Sequence, residues 1–292
     1  MLSLKGPLLI AANHPNSFLD AIILSTLFKQ PVYSLARGDA FTKPIYKKLL
    51  HALNMFPVYR ISEGVENLEN NYDTFEKCKE IFKNNGIVLI FSEGRCINEW
   101  SLRPLKKGTA RLAQSSWKEG IPLKVLPTGI NYQSFTSFGK NVQLNFGNII
   151  SEKDISATEG YGKTINEFND KLRSELSKLV IKIDSKEKQQ IKSIFFIKQP
   201  FLKQLLLFFP ALIGYFFHAP LYIPIERFAA VKGGHNDHFD SLMIGLLFLF
   251  YPFYLLFIGL LVYWWLCGYW WLLVFILLPF YARSYVQLKK QF

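Results

Sequence analysis

The chain has 292 residues, enough for one sizeable domain plus an appendage. Half of them are hydrophobic, which excludes a disordered chain. The net charge is +12, and residues 204–292 hold five Lys/Arg against three Asp/Glu, so +10 belongs to the first 203 residues. A domain so basic suits nucleic acid, or anionic lipid and phosphate esters. No zinc-finger spacing or RNP-like motif supports nucleic acid, and an apolar C-terminal third favours lipid. Cys78, Cys96 and Cys267 are odd in number and widely spaced, which fits reduced thiols rather than a disulfide framework.

Residues 7–150 alternate short apolar runs with helical patterns. The runs predict strands at 7–12, 31–36, 55–58, 87–92, 123–130 and 142–148, with helices near 18–28, 43–53, 66–84 and 107–119. Within 66–84, Leu68, Tyr72, Phe75, Cys78 and Phe82 recur at three- and four-residue steps, the period of an amphipathic helix. Strand–helix alternation predicts an α/β domain with a largely parallel sheet flanked by helices over residues 1–150. Ligands of such sheets bind beyond the carboxyl ends of the strands. Residues 151–203 read as a loop followed by a charged helical extension.

Residues 204–292 read as a membrane region. Ser241–Ala282 is 42 residues without one Asp, Glu, Lys or Arg, and 205–225 is another 21. A bilayer core takes about 20 apolar helical residues, so 241–282 is expected to form a transmembrane hairpin. Trp264, Trp265, Trp270 and Trp271 suit an interfacial aromatic belt. Proline costs a helix interior about 3 kcal/mol. Pro210, Pro220 and Pro224 therefore predict that 205–225 lies in the interface or is re-entrant.

Three blocks could carry chemistry. AANHPNSFLDAIIL puts His14 and Asp20 where a strand gives way to a helix. A His with a carboxylate on its second ring nitrogen can act as a general base, as in a Ser-His-Asp triad whose serine is replaced by an acceptor alcohol. Asp20 also fits a helix-capping pattern with Ser17. FPVYR places Arg60 after a short strand. FSEGRC places Glu93, Gly94 and Arg95 after the most apolar strand, and LRPLKKGTARLA adds Arg103, Lys106, Lys107 and Arg111 around a helix start. Arginine is suited to bidentate phosphate contact. His235 and His238 in GGHNDHFD lack the further converging ligands of a metal site.

These blocks, in this order, resemble the glycerolipid acyltransferase family, the PlsC-like 1-acylglycerol-3-phosphate and glycerol-3-phosphate acyltransferases. The first block corresponds to Asn13, His14 and Asp20, the second ends in Arg60, the third is Phe91-Ser92-Glu93-Gly94, and the fourth is VLPTGI with Pro127. Five residues rather than four separate His14 from Asp20, a longer spacing similar to that of the fungal-type glycerol-3-phosphate/dihydroxyacetone-phosphate enzymes. Ser92 replaces the usual Pro, and Arg95 follows Gly94 directly. Many relatives carry membrane-associated helices before the first block; here the anchor is expected at the C-terminus.

The resemblance implies the glycerolipid acyltransferase fold, an acyl-CoA or acyl-ACP co-substrate, no bound cofactor and no metal. It implies His14 and Asp20 as the catalytic pair, with Asn13, Arg60, Glu93, Gly94, Arg95, Lys106 and Lys107 binding substrate. Another acceptor (a lysophospholipid, lyso-ornithine lipid or lipopolysaccharide precursor) and a non-catalytic lipid-binding role are the alternatives. A cytosolic donor places residues 1–203 in the cytoplasm. The basic tail with Arg283, Lys289 and Lys290 is expected on the same side.

Overall fold

A computed structural model describes residues 3–59, 70–156, 160–184, 187–234 and 237–289. The chain divides into two compact units, residues 1–131 with 143–184, and residues 132–142 with 185–292.

The first unit is built on a six-stranded sheet. Its strands are β1 (Leu8–Ala12), β2 (Val32–Arg37), β3 (Met55–Val58), β4 (Ile87–Phe91), β5 (Lys124–Tyr132) and β6 (Val142–Phe146). They lie in the order β3-β2-β4-β1-β5-β6. β1 runs parallel to β4 on one side and to β5 on the other, and β2 runs parallel to β3 and β4. Every residue of β1 is buried, which explains its uninterrupted Leu-Leu-Ile-Ala-Ala run: a central parallel strand is covered on both faces.

The covering helices are α1 (Ser17–Ser25), α2 (Pro44–Ala52), α3 (Asn70–Lys83), α4 (Gly108–Lys118) and α5 (Tyr161–Leu179). α5 buries Ile165, Phe168, Leu172 and Leu176, one stripe at helical spacing. Phe168 meets Trp117 of α4 edge to face at 5.9 Å, and the Trp117 indole N–H donates to the Leu123 carbonyl at 2.9 Å. Cys78 and Phe82 of α3 join the same core. The start expected for α3, residues 66–69, lies outside the described residues.

The second unit holds α6 (Lys188–Phe195), α7 (Phe201–Gly233), α8 (Phe239–Leu266) and α9 (Val274–Lys289). Three helical stretches among the described residues, 201–233, 239–266 and 269–289, are long and apolar enough to cross a membrane. The α8–α9 pair replaces the hairpin expected at 241–282 with longer arms. They run past both ends of the charge-free stretch, which leaves room for a turn at Cys267, whose φ is +45°. Trp264 and Trp265 beside this turn are each 80% exposed, as lipid- or interface-facing aromatics would be.

The prolines do not break 205–225. α7 is continuous through Pro210, Pro220 and Pro224. In apolar surroundings, neighbouring helices can satisfy backbone groups that proline frees. The Tyr254 hydroxyl of α8 donates to the Phe217 carbonyl of α7, next to the Phe216 carbonyl that Pro220 leaves without its helical N–H partner.

α7 packs on α9 through a small residue. A Cβ on Gly214 would lie 2.3 Å from the Tyr281 carbonyl oxygen, an approach only glycine permits. Gly214→Leu is therefore expected to lower the thermal stability of the detergent-purified protein by roughly 1–3 kcal/mol of overpacking. Gly245→Leu, on α8 with open space around it, is expected to leave the melting temperature unchanged.

Candidate active site

The chain leaves β1 for β2 on one side of the sheet, returns to β4 beside β1, and then crosses to β5 on the far side. The carboxyl ends of β1 and β4 therefore flank a point where the winding reverses, where open α/β sheets bind ligands. His14 lies two residues beyond the end of β1, and Glu93 two residues beyond the end of β4.

His14 and Asp20 come together. The His14 Nδ1 is 2.9 Å from the Asp20 Oδ2, and the Asp20 side chain is 0% exposed. The same carboxylate oxygen accepts the Asn16 backbone N–H at 2.8 Å. Asp20 thus serves both roles open to it in the sequence, holding the helix entrance and the histidine. The five-residue spacing is accommodated by Ser17, which opens α1 in the left-handed region at φ +43°. The imidazole stacks on the Phe91 ring at 3.8 Å and 8°, which fixes its plane. With Nδ1–H directed at Asp20, Nε2 is the basic nitrogen of the ring.

Glu93 holds the surrounding loops. Its two oxygens accept the backbone N–H groups of His14 at 2.8 Å and Arg103 at 2.7 Å. Burial raises the carboxyl above its ordinary value, and the two N–H bonds oppose that shift. With its folded pKa raised, the native chain takes up this proton at a higher pH than the unfolded chain does. The stability Glu93 contributes therefore declines as pH rises from its unfolded to its folded pKa and is level above that, so acid lability does not originate here.

The remaining residues divide. Asn13 is a clamp: its amide nitrogen donates to the Ile130 carbonyl at 3.0 Å, and its oxygen accepts the Ile130 N–H at 2.8 Å, tying the end of β1 to β5. Gly94 turns the chain at φ +68°, and a Cβ there would stand 3.0 Å from the Lys106 Cγ. Arg95, Lys106 and Lys107 are exposed, with the Lys106 backbone N–H bonded to the Ser92 carbonyl at 2.7 Å. Arg60 and His235 lie outside the described residues; β3, which leads to Arg60, is the sheet edge, separated from β4 by β2. Burial pushes the Cys78 thiol up to about 12, which rules it out as a nucleophile.

Arg103 carries more than its sequence signal showed. Its backbone meets Glu93, its Nε lies 3.4 Å from Glu99, and its Nη1 is buried without a hydrogen-bond partner. Only the density of cations in LRPLKKGTAR pointed to it.

Glu93→Gln puts an NH2 donor against a backbone N–H, and leaving a buried donor unpaired costs about 1–3 kcal/mol. This variant is expected to lower the melting temperature more than His14→Ala does, and to lose activity as well. Thermal unfolding of the two variants side by side checks it.

Residues 1–131 match the family model described as Acyltransferase. Over 173 residues the chain is 24% identical to the chloroplastic 1-acyl-sn-glycerol-3-phosphate acyltransferase BAT2 of Brassica napus, covering 59% of this chain and 46% of that protein. The chain thus spans about half the length of that curated relative. Among solved structures, the 1-acyl-sn-glycerophosphate acyltransferase PlsC of Thermotoga maritima is similar, at 16% identity and a TM-score of 0.43, over 67% of this chain and 69% of that one. The stretch matched by the Acyltransferase family model contains the His14–Asp20 turn and the Glu93 loop.

Proposed function

We propose that the chain moves a fatty acyl group from an acyl thioester, of coenzyme A or acyl carrier protein, to a hydroxyl of a glycerol-phosphate-type acceptor such as glycerol 3-phosphate or 1-acylglycerol 3-phosphate. The observation that carries this reading is the buried Asp20 carboxylate on the His14 Nδ1. It stabilises the imidazolium formed when Nε2 takes the acceptor's hydroxyl proton. As that proton leaves, the acceptor oxygen bonds to the thioester carbonyl carbon. Collapse of the tetrahedral intermediate breaks the C–S bond, and the imidazolium returns its proton to the departing thiolate.

In this reading Glu93 positions and does not transfer protons, because both of its oxygens are engaged by backbone N–H groups. The acceptor phosphate falls to cations. Arg103 has a buried, unpartnered Nη1 that a phosphate oxygen would satisfy. Arg60 supplies a second contact, with Arg95, Lys106 and Lys107 steering from the exposed rim.

We assign the catalytic unit to the cytoplasmic side, where the acyl donors are. We place both ends of the α8–α9 hairpin on that side as well, in keeping with the basic tail of Arg283, Lys289 and Lys290. In this reading α7 lies in the interface or re-enters, and its C-terminal end with Lys232 is on the catalytic side.

Three outcomes test this reading. His14→Ala is expected to cut acyl transfer by about 10²–10⁴-fold while membrane association persists, as measured with purified protein and radiolabelled acyl thioester. A variant retaining more than about a tenth of wild-type turnover would remove His14 as the base, since that loss falls below the general-base range. Arg103→Ala and Arg60→Ala are expected to raise KM for a phosphorylated acceptor far more than for the donor, the signature of lost uniform binding. An effect on the donor alone would place that arginine at the thioester end. A cysteine placed at Lys232 is expected to resist an impermeant thiol reagent in intact cells; labelling from outside would carry α7 across the membrane.

A further inference from the structure

The second unit contains a cleft of about 290 Å³ whose walls include Ser134, Phe138 and Lys140 from the β5–β6 connection, Lys192 and Phe196 from α6 and the residue after it, and Lys289 from the end of α9. No acidic side chain lines it among the described residues. Its lysines are arranged differently. Lys140 is ion-paired with Asp240 and lies 5.6 Å from the centre of the Tyr132 ring, so its charge is locally balanced. Lys289 lies over the Tyr222 ring with its Nζ 3.5 Å from the Tyr222 hydroxyl, which itself donates to Glu226 at 2.7 Å, so Lys289 meets that carboxylate only through the hydroxyl and not in a direct ion pair. Lys192 is exposed at the rim. The cleft thus presents the Lys192 and Lys289 ammonium groups beside hydroxyl and aromatic surface, with the Glu226 carboxylate set back behind the Tyr222 hydroxyl.

Its place in the fold narrows the ligand. Lys289 ends one of the helical stretches able to cross a membrane, so the cleft lies at the polar end of an apolar helix, the depth of lipid headgroups. α6 is amphipathic, burying Ile191 and Phe195 while Lys192 faces out. From the cleft wall an apolar surface continues through Phe196, Ile197, Phe201 and Leu202, all more than half exposed. The volume is at the small end of ligand sites, too small to enclose a whole lipid and sufficient for its phosphate head.

We infer that this cleft binds the phosphate headgroup of an anionic membrane phospholipid, with Lys192 and Lys289 on the phosphate and the acyl chains along the apolar surface beyond Phe196. The site is separate from acyl transfer, and its occupancy does not depend on His14.

The test is lipid retention by the full chain. Protein purified from nanodiscs of equal phosphatidylglycerol and phosphatidylcholine is read by native mass spectrometry. Wild type and His14→Ala are both expected to retain phosphatidylglycerol in preference to phosphatidylcholine. Each basic residue near an anionic surface contributes several-fold in affinity, so the Lys192→Ala/Lys289→Ala double variant is expected to lose that preference about tenfold or more. Lys192→Arg/Lys289→Arg keeps it. Lys198→Ala, an exposed lysine outside the cleft, leaves it unchanged. If the double variant does not fold, Lys192→Ala alone carries the test, with a several-fold loss expected. Equal retention of the two lipids by wild type, or undiminished preference in the double variant, overturns the inference. Loss in Lys198→Ala as large as in the double variant assigns the preference to diffuse surface charge and also overturns it. Displacement of the lipid by millimolar glycerol 3-phosphate or inorganic phosphate assigns the cleft to soluble phosphates instead. A failed acyl-transfer assay with intact lipid preference would count against the proposed reaction and leave this site standing.

Discussion

The carboxylate of Glu93 is the joint on which the rest of the first unit's active end depends. Backbone N–H groups just beyond a strand have lost their ladder partners, and burying one unpaired is costly. One such group, from His14, and a loop N–H from Arg103 meet at the carboxyl end of the sheet, and one buried carboxylate accepts both. Bonds to a charged acceptor are about twice as strong as neutral ones, which offsets the desolvation of the carboxylate. The consequence is positional. The turn carrying His14 and the segment leading to α4 are fixed relative to β4 by one side chain, so the imidazole stacks on Phe91 in a single orientation.

The departures from the common acyltransferase pattern compensate one another within this arrangement. The longer His14–Asp20 turn needs a residue in the left-handed region, and Ser17 takes it. The N–H of Ser17 then donates to the sulfur of Cys96, a residue of the equally unusual Gly94-Arg95-Cys96 sequence. Ser92, in place of proline, has an N–H that bonds the Ala12 carbonyl at 2.9 Å, and its hydroxyl accepts that of Thr109 at 3.0 Å. Proline could make neither bond. The altered first and third blocks therefore form one interlocked loop pair around the histidine.

How much of this was legible follows from what each signal reports. Periodicity located all six strands within a few residues, and strand-end position put His14, Asp20 and Glu93 near one another, because loops at the carboxyl ends of parallel strands converge. Strand order was not legible, since it depends on pairings between residues far apart in the chain. Asn13 read as a substrate contact, yet its side chain joins β1 to β5; a lone Asn beside a histidine carries no mark of a partner 117 residues away. Arg103 was hidden among neighbouring cations, and only burial separates it from Lys106 and Lys107. In α7, the prolines pointed to an interfacial or re-entrant segment, and the helix runs unbroken through them. That cost is measured for helices in water, and within a membrane neighbouring helices, side chains and ordered waters can satisfy the backbone groups that proline frees.

Within the apolar helices of the second unit, a half-buried histidine is paired with neutral groups. His218 in α7 donates from Nδ1 to the Gly214 carbonyl at 2.8 Å, and its Nε2 accepts the Tyr251 hydroxyl at 3.1 Å. Both ring nitrogens are satisfied by an uncharged imidazole, with α7 tied to α8 in the process. Where Glu93 uses a charge to bind two loops, the apolar helices use a hydroxyl and a neutral ring, because an unpaired ion in hydrocarbon costs far more than one beside water. Charges are accordingly displaced to the helix ends, where Arg227, Lys232, Asp240, Arg283 and Lys289 bound the apolar stretches.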